Sequence, residues 1–276
     1  MDWSLIEAQR FETVGAVTAS STGTSLTASG TANTKGSYVE LVASTAFNAH
    51  GIFVQLNNAA ETFRDYLIDV AVGAAGSEVV IAENLFSGSG DGVPSADGCG
   101  YLLPVSIPAG TRLAARCQAA AASNIIRILV VLLGEGFITP PGLGRVTTYG
   151  ANTADSGGVQ IDPGGTAHTK GAYSEIIASA TNPIRQLTII IGGQNNNLRT
   201  AATWLVDVAI GAAGSETVLI ANLMLNCSAS VDIVQPQTFP PLGVNVPAGT
   251  RLAARAQCSI IDATDRLIDI FVYGVD

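Results

Sequence analysis

Along most of the chain apolar and polar residues alternate with a period of two, the signature of a half-buried strand. In Asp65–Val72, Ile68, Val70 and Val72 share one face while Leu67, Asp69 and Ala71 share the other. Thr111–Cys117 sets Arg112, Ala114 and Arg116 on one face and Leu113, Ala115 and Cys117 on the opposite one. The same reading predicts strands over Tyr38–Ser44, Gly51–Asn57, Val79–Leu85, Tyr101–Ile107 and Ile126–Leu133, with one or two more between Gly15 and Gly30. Turn signals at Gly73–Gly76, Gly88–Gly92 and Pro108–Gly110 separate them. Only Gln118–Ser123 has a helical look. Many short strands divided by turns predict an all-β chain of sandwich type, jelly-roll-like in topology.

The pattern repeats. Thr34–Glu40 recurs as Thr169–Glu175, and Asp69–Glu78 recurs as Asp207–Glu216 with nine of ten residues identical. Pro108–Arg116 recurs unchanged as Pro247–Arg255. Three anchors in one order mark a duplicated domain rather than a short-period solenoid. The expected organisation is an N-terminal arm over 1–13, a first β-sandwich over 14–137, a Pro-Pro-Gly linker over 138–145 and a second sandwich over 146–276.

Composition narrows the function classes. The 276 residues are 47% hydrophobic and only 13% charged, with a net charge of −9. That excludes a disordered chain and a basic nucleic-acid binder. A surface this poor in charge is usually covered by neighbours, so a homo-oligomer, a trimer as the working expectation, is the expected state. The longest apolar run, Ile125–Leu133, is interrupted by Arg127 and far short of the roughly 20 residues of a membrane span, so no membrane partner is expected. The first residues carry neither a basic nor an apolar signal region, which predicts synthesis in a cytoplasm without ordinary export. Cys99, Cys117, Cys227 and Cys258 divide evenly between the copies, allow three connectivities, include no CxxC, and read as reduced core residues.

The candidate chemistry is the polar set that the duplication pairs: Lys35 with Lys170, Glu40 with Glu175, Asp69 with Asp207, Glu78 with Glu216, Arg112 with Arg251 and Arg116 with Arg255. Arg127 and Arg266 read as a further pair. Lys35 and Lys170 are the only lysines of the chain. Such a set could be two ligand sites or two internal ion pairs. Asp69 lies mid-strand among apolar residues, where an unpaired carboxylate is costly, so an ion pair with Arg112 or Arg116 is expected.

Other signals point away from catalysis, metal and cofactor. The Pro-Ala-Gly-Thr-Arg and Gly-Ala-Ala-Gly-Ser-Glu segments fit neither phosphate-loop nor dinucleotide patterns and read as tight turns. His50 and His168 are not equivalent under the repeat and have no metal-ligand spacing. No nucleophile elbow occurs. The acidic loop 87–98, with Asp91 and Asp97, lacks the alternation of a calcium loop, which leaves weak calcium binding as an open alternative. Asn226-Cys227-Ser228 spells a glycosylation sequon without a secretory context. Trp204 aligns with Tyr66 and reads as packing.

Duplicated sandwiches rich in small residues, with strands such as Asp69–Glu78 and turn-strands such as Pro108–Arg116, resemble structural proteins of tailed-bacteriophage virions. The resemblance covers residues 15–276 and is one of style rather than of a diagnostic motif. It implies a capsid decoration or minor capsid protein made in a bacterial host, with the major capsid protein and copies of itself as partners. It also implies no enzyme activity and no cofactor. A tail, collar or fibre component is a second reading. A receptor- or carbohydrate-binding module is a third, with binding then expected in the loops that differ most between copies, Phe86–Gly100 and Asn226–Pro241.

Overall fold

The computed structural model describes residues 10–58, 64–89, 100–134, 145–193, 200–227 and 234–276. The first copy contains β1 (Phe11–Val14), β2 (Ala16–Val17), β3 (Thr22–Thr27), β4 (Val39–Val42), β5 (Gly51–Asn58), β6 (Arg64–Val72), β7 (Val79–Ser89), β8 (Gly100–Leu103), β9 (Leu113–Ala119) and β10 (Ile125–Leu133). The second contains β11 (Val146–Tyr149), β12 (Val159–Ile161), β13 (Ser174–Ile177), β14 (Ile184–Gly193), β15 (Ala202–Ile210), β16 (Thr217–Cys227), β17 (Val234–Val246), β18 (Leu252–Cys258) and β19 (Ile268–Val275).

Each copy is a sandwich of two antiparallel sheets. In the first, β3-β10-β5-β8 faces β4-β9-β6-β7; in the second, β12-β19-β14-β17 faces β13-β18-β15-β16. Apart from the β6–β7 and β15–β16 hairpins, neighbouring strands in these sheets are distant in sequence, the strand order of a jelly roll. The all-β sandwich read from the period-two pattern is the fold observed. Inward-facing residues such as Leu56, Ile68, Val70, Leu113, Ile128 and Val130 fill the first core. Their counterparts Ile191, Val206, Val208, Leu252, Ile270 and Val272 fill the second.

Several local expectations change. Phe11–Val14, expected at the end of an arm, is a strand lying end to end with β3 along β10. Its counterpart is β11, which lies end to end with β12 along β19. The repeat therefore begins before residue 14. Gln118–Ser123 is not helical: β9 runs on to Ala119, because its ladder with β6 extends to the Tyr66–Ala119 pair. Residues 234–241, expected within a variable loop, belong to β17, which lies on the edge of β14. Tyr101–Ile107 pairs as a strand only to Leu103. The arm residues 1–9, Cys99, Asp91, Asp97 and most of the linker lie outside the described residues.

The two glycine-rich repeats are turns. Ser77 N–H donates to Ala74 O at 2.9 Å with Gly76 at φ +83°, and Ser215 N–H donates to Ala212 O at 2.9 Å with Gly214 at φ +80°. A positive φ in the third turn position is what glycine supplies without steric penalty.

Candidate functional site: the paired charge clusters and the joint between the copies

Three neighbouring strands and the segment that leads into β4 build one cluster on the outer face of the β4-β9-β6-β7 sheet. Residues 33–36 run along β9 ahead of β4, with Gly36 N–H donating to Cys117 O at 2.8 Å. This course carries Lys35 across to β6. Asp69 Oδ1 accepts from Lys35 Nζ at 2.7 Å, and Asp69 Oδ2 accepts from Arg116 Nε at 2.9 Å. A bulge in the β6–β7 register turns Asn84 to φ +52° and takes its N–H out of the ladder. That N–H donates to Asp69 Oδ1 at 3.0 Å. Lys35 Nζ also donates to Leu67 O at 3.1 Å, and the Arg116 guanidinium lies 4.6 Å above the Tyr38 ring.

The second copy repeats this atom for atom. Asp207 accepts from Lys170 at 2.8 Å, Arg255 at 3.1 Å and Asn222 N–H at 3.0 Å. Lys170 donates to Leu205 O at 2.8 Å, and Arg255 sits 4.6 Å over Tyr173. Asp69 and Asp207 are 1% and 4% exposed, so each carboxylate has exchanged water for three donors. Burial pushes the Asp207 carboxyl up, but the hydrogen bonds from Lys170, Asn222 and Arg255 outweigh it and hold it below the usual carboxylate range. Burial pushes the Lys35 ammonium below an ordinary lysine, with Asp69 opposing the shift.

The structure resolves the choice between two arginines. Arg116 meets Asp69, while Arg112 forms a second cluster at the sheet end, with Nε 2.8 Å from Glu40 and Nη1 3.1 Å from Glu78. Arg251, Glu175 and Glu216 repeat it at 2.7 and 3.1 Å. Glu78 Oε2 also accepts from Gly76 N–H at 2.9 Å, so this cluster ties the glycine turn to β4 and β9. The lysine contribution to the aspartate was not legible in the sequence, because Lys35 lies outside any strand pattern. Its pairing with Lys170 under the repeat was the one available signal.

Arg127 and Arg266, expected to be equivalent, are not. β10 aligns with β19 through Val14↔Val130 and Tyr149↔Val272, which places Arg127 at the position of Asp269. Arg266 precedes β19 and pairs with Asp162 at 2.6 Å. His168 is exposed in the loop that leads to Lys170. Cys117, Cys227 and Cys258 are buried and form no disulfide, and burial pushes Cys117 up to about 12. Among the described residues no group of His, Cys, Asp or Glu could hold a metal ion, and no helix is long and apolar enough to cross a membrane.

The copies meet through unlike surfaces. The first offers the free edge of β7; the second offers the outer face of its β19-β14 sheet. Phe86 stacks on Phe271 with ring centroids 4.4 Å apart, and Tyr101 meets Tyr273 edge to face at 5.2 Å. Tyr273 OH donates to Asn84 O at 3.1 Å and accepts from Phe86 N–H at 3.0 Å, while Tyr101 OH donates to Phe86 O. Two tyrosine hydroxyls thus satisfy backbone groups that an edge strand would otherwise present for pairing. Farther along, Gln118 Nε2 donates to Thr153 O at 2.9 Å and Ser156 Oγ donates to Asn33 Oδ1 at 2.9 Å. A groove of about 760 Å³ opens beside this joint, with Glu83, Asn84, Asn152 and Asp155 in its wall. Asp155 is engaged there by Asn152 Nδ2 at 2.8 Å and Gly157 N–H at 2.9 Å.

Fold and joint together define a tandem jelly-roll protein whose repeated polar residues face one another. No family model matches the chain, and no curated protein does. Solved structures similar to it include PNGase F, a glycosylasparaginase from Flavobacterium meningosepticum, at 11% identity and TM-score 0.35 over 98% of this chain and 90% of that one. The CBM22-1–CBM22-2 tandem domain of Paenibacillus barcinonensis Xyn10C is similar at 12% identity and TM-score 0.27, over 98% and 92%. The naturally occurring empty particle of cowpea mosaic virus is similar at 12% identity and TM-score 0.32, over 98% and 89%. Likenesses this distant carry no argument about what the chain does.

Proposed function

We propose that this chain is a structural subunit of a bacteriophage virion, a capsid decoration or minor capsid protein that covers or stabilises the particle through symmetric protein–protein contacts. One observation carries the reading: the paired charges are consumed inside each copy. Lys35, Arg112 and Arg116, with Lys170, Arg251 and Arg255, are all engaged by carboxylates of their own copy. In this reading the twelve repeat-paired residues hold the two sandwiches, and the remaining weakly polar surface is left for protein neighbours. The phage assignment itself comes from the resemblance of the two repeated segments.

The test is the protein content of purified particles. Peptides from this chain in stoichiometric amounts, and density for paired jelly rolls on the capsid shell, are the expected result. Density on a tail, collar or fibre would replace the decoration role with the second reading. Absence from the particle overturns the proposal.

A further inference from the structure

The joint inside the chain is heterologous, an edge of one copy on a face of the other. A duplicated chain joined this way has two ends left over: the same edge on the second copy and the same face on the first. Unlike surfaces that complement one another generate rings or open chains when repeated between molecules.

Both leftover surfaces can be located by register. Phe86 pairs with Leu67, and Met224 pairs with Leu205, so Met224 holds the position of Phe86. Phe86 is fully buried, whereas Met224 is 62% exposed. Asn222 and Asn226 beside Met224 are also exposed, and no side chain caps the Met224 backbone among the described residues. On the other side, the β10–β19 alignment places Leu129 at the position of Phe271 and Val131 at that of Tyr273. Phe271 and Tyr273 are wholly buried by the first copy, whereas Leu129, Val131 and the neighbouring Phe53 are only half-buried. The first copy therefore leaves open an apolar sheet face of the kind that its own edge covers on the second.

We propose that the partner for these surfaces is a second copy of this chain, bound head to tail, with the β16 edge at Met224 seated on the Leu129–Val131 face of its neighbour. Methionine suits such a contact because its unbranched side chain adapts to irregular apolar surfaces. Val131 has no hydroxyl to meet Asn222 O and Met224 N–H, and Leu129 and Met224 cannot stack as Phe271 and Phe86 do. The contact between chains is accordingly weaker than the joint within one, and reversible. This inference deepens the assembly reading above and rests on it for its purpose.

A cross-link tests the geometry. Met224→Cys chains and Leu129→Cys chains are mixed and treated with a short bismaleimide, with the unsubstituted chain as the control for native thiols. Linked dimers that appear only in the mixture are the expected result. Dimers from Met224→Cys alone would mean a two-fold contact and overturn the proposal, as would a mixture that never links. In sedimentation, Met224→Lys, an exposed change that spares the fold, raises the concentration for self-association by about tenfold or more. Unchanged association with this variant also overturns it. A chain present in particles that fails both assays sinks this geometry and leaves the virion reading standing; one that passes both and is absent from particles does the reverse.

Discussion

In the first copy Lys35, Asn84 and Arg116 reach Asp69 at 2.7, 3.0 and 2.9 Å; in the second Lys170, Asn222 and Arg255 reach Asp207 at 2.8, 3.0 and 3.1 Å. A short way along the same strand, Phe86 lies buried against an aromatic ring while its counterpart Met224 stands in solvent. The two halves have kept one environment and exchanged another. A buried carboxylate loses heavily if any donor is removed, so each member of the cluster constrains the rest. An outward position is bound only by what covers it, and the joint covers one copy's edge and not the other's. What has diverged between the copies therefore marks where each meets something other than itself.

The largest test of this contrast is truncation at the equivalent positions. Phe86→Ala removes a fully buried ring stacked on Phe271 and is expected to cost about 3–5 kcal/mol. Met224→Ala, at 62% exposure, is expected within about 0.5 kcal/mol. Denaturant unfolding of the two variants side by side checks both. Equal losses would mean that β16 is as covered as β7 in the free chain and would abolish the contrast.

Next in size is the feature that the copies share. Asp69→Ala leaves Lys35, Arg116 and the Asn84 N–H without their acceptor, and Asp207→Ala does the same to Lys170, Arg255 and Asn222. Removing one partner of a buried ion pair costs about 3 kcal/mol or more, or roughly 6–12 °C in melting temperature at this chain length. The two variants should fall by similar amounts in calorimetry. A loss at one position and none at the other would show that the repeated geometry is not repeated energetics.

Much of this was open to inspection in the sequence, and the missing parts have physical causes. Period-two alternation marks strands because successive side chains point to opposite faces, and it located β5, β6, β7 and β10 well. It failed at β1 and β17. The first is four residues long, and the second carries prolines at 236, 240 and 241 that read as loop yet sit on a sheet edge, where a missing N–H is tolerated. The duplication drew out the charged residues as a set, since the recurrence of short segments in one order needs no knowledge of contacts. It did not say which arginine meets Asp69, because Arg112 and Arg116 share a face and only the ladder register separates them. The joint was invisible for a stronger reason. Phe86 falls at the start of an expected variable loop, no pattern in the sequence sets Phe271 and Tyr273 apart, and only the fold reveals that all three face the other copy.

The smallest expected difference between the copies is in their response to acid. Hydrogen bonds at its own backbone and from Arg112 hold Glu78 below the usual carboxylate range in the first copy, and Glu216 is held likewise in the second. The second copy adds more. The Arg266 hydrogen bonds hold Asp162 low, and the backbone N–H groups of Asp265 and Thr264 bring Asp262 to about 2. The corresponding turn of the first copy, Ala120–Asn124, contains no carboxylate. A carboxyl that is depressed on folding stabilises the native state above its unfolded value, near pH 4, and this stabilisation is lost as pH falls through the folded value. The second copy should therefore loosen first as pH falls from about 4 toward about 2. Trp204 reports on it directly, since its indole is buried and donates to Arg266 O at 2.8 Å, beside the acidic turn. In a Trp3→Phe chain, a red shift of Trp204 emission is expected at higher pH than the loss of far-ultraviolet circular dichroism. If the two transitions coincide, the joint couples the copies strongly enough to erase their different acid chemistry.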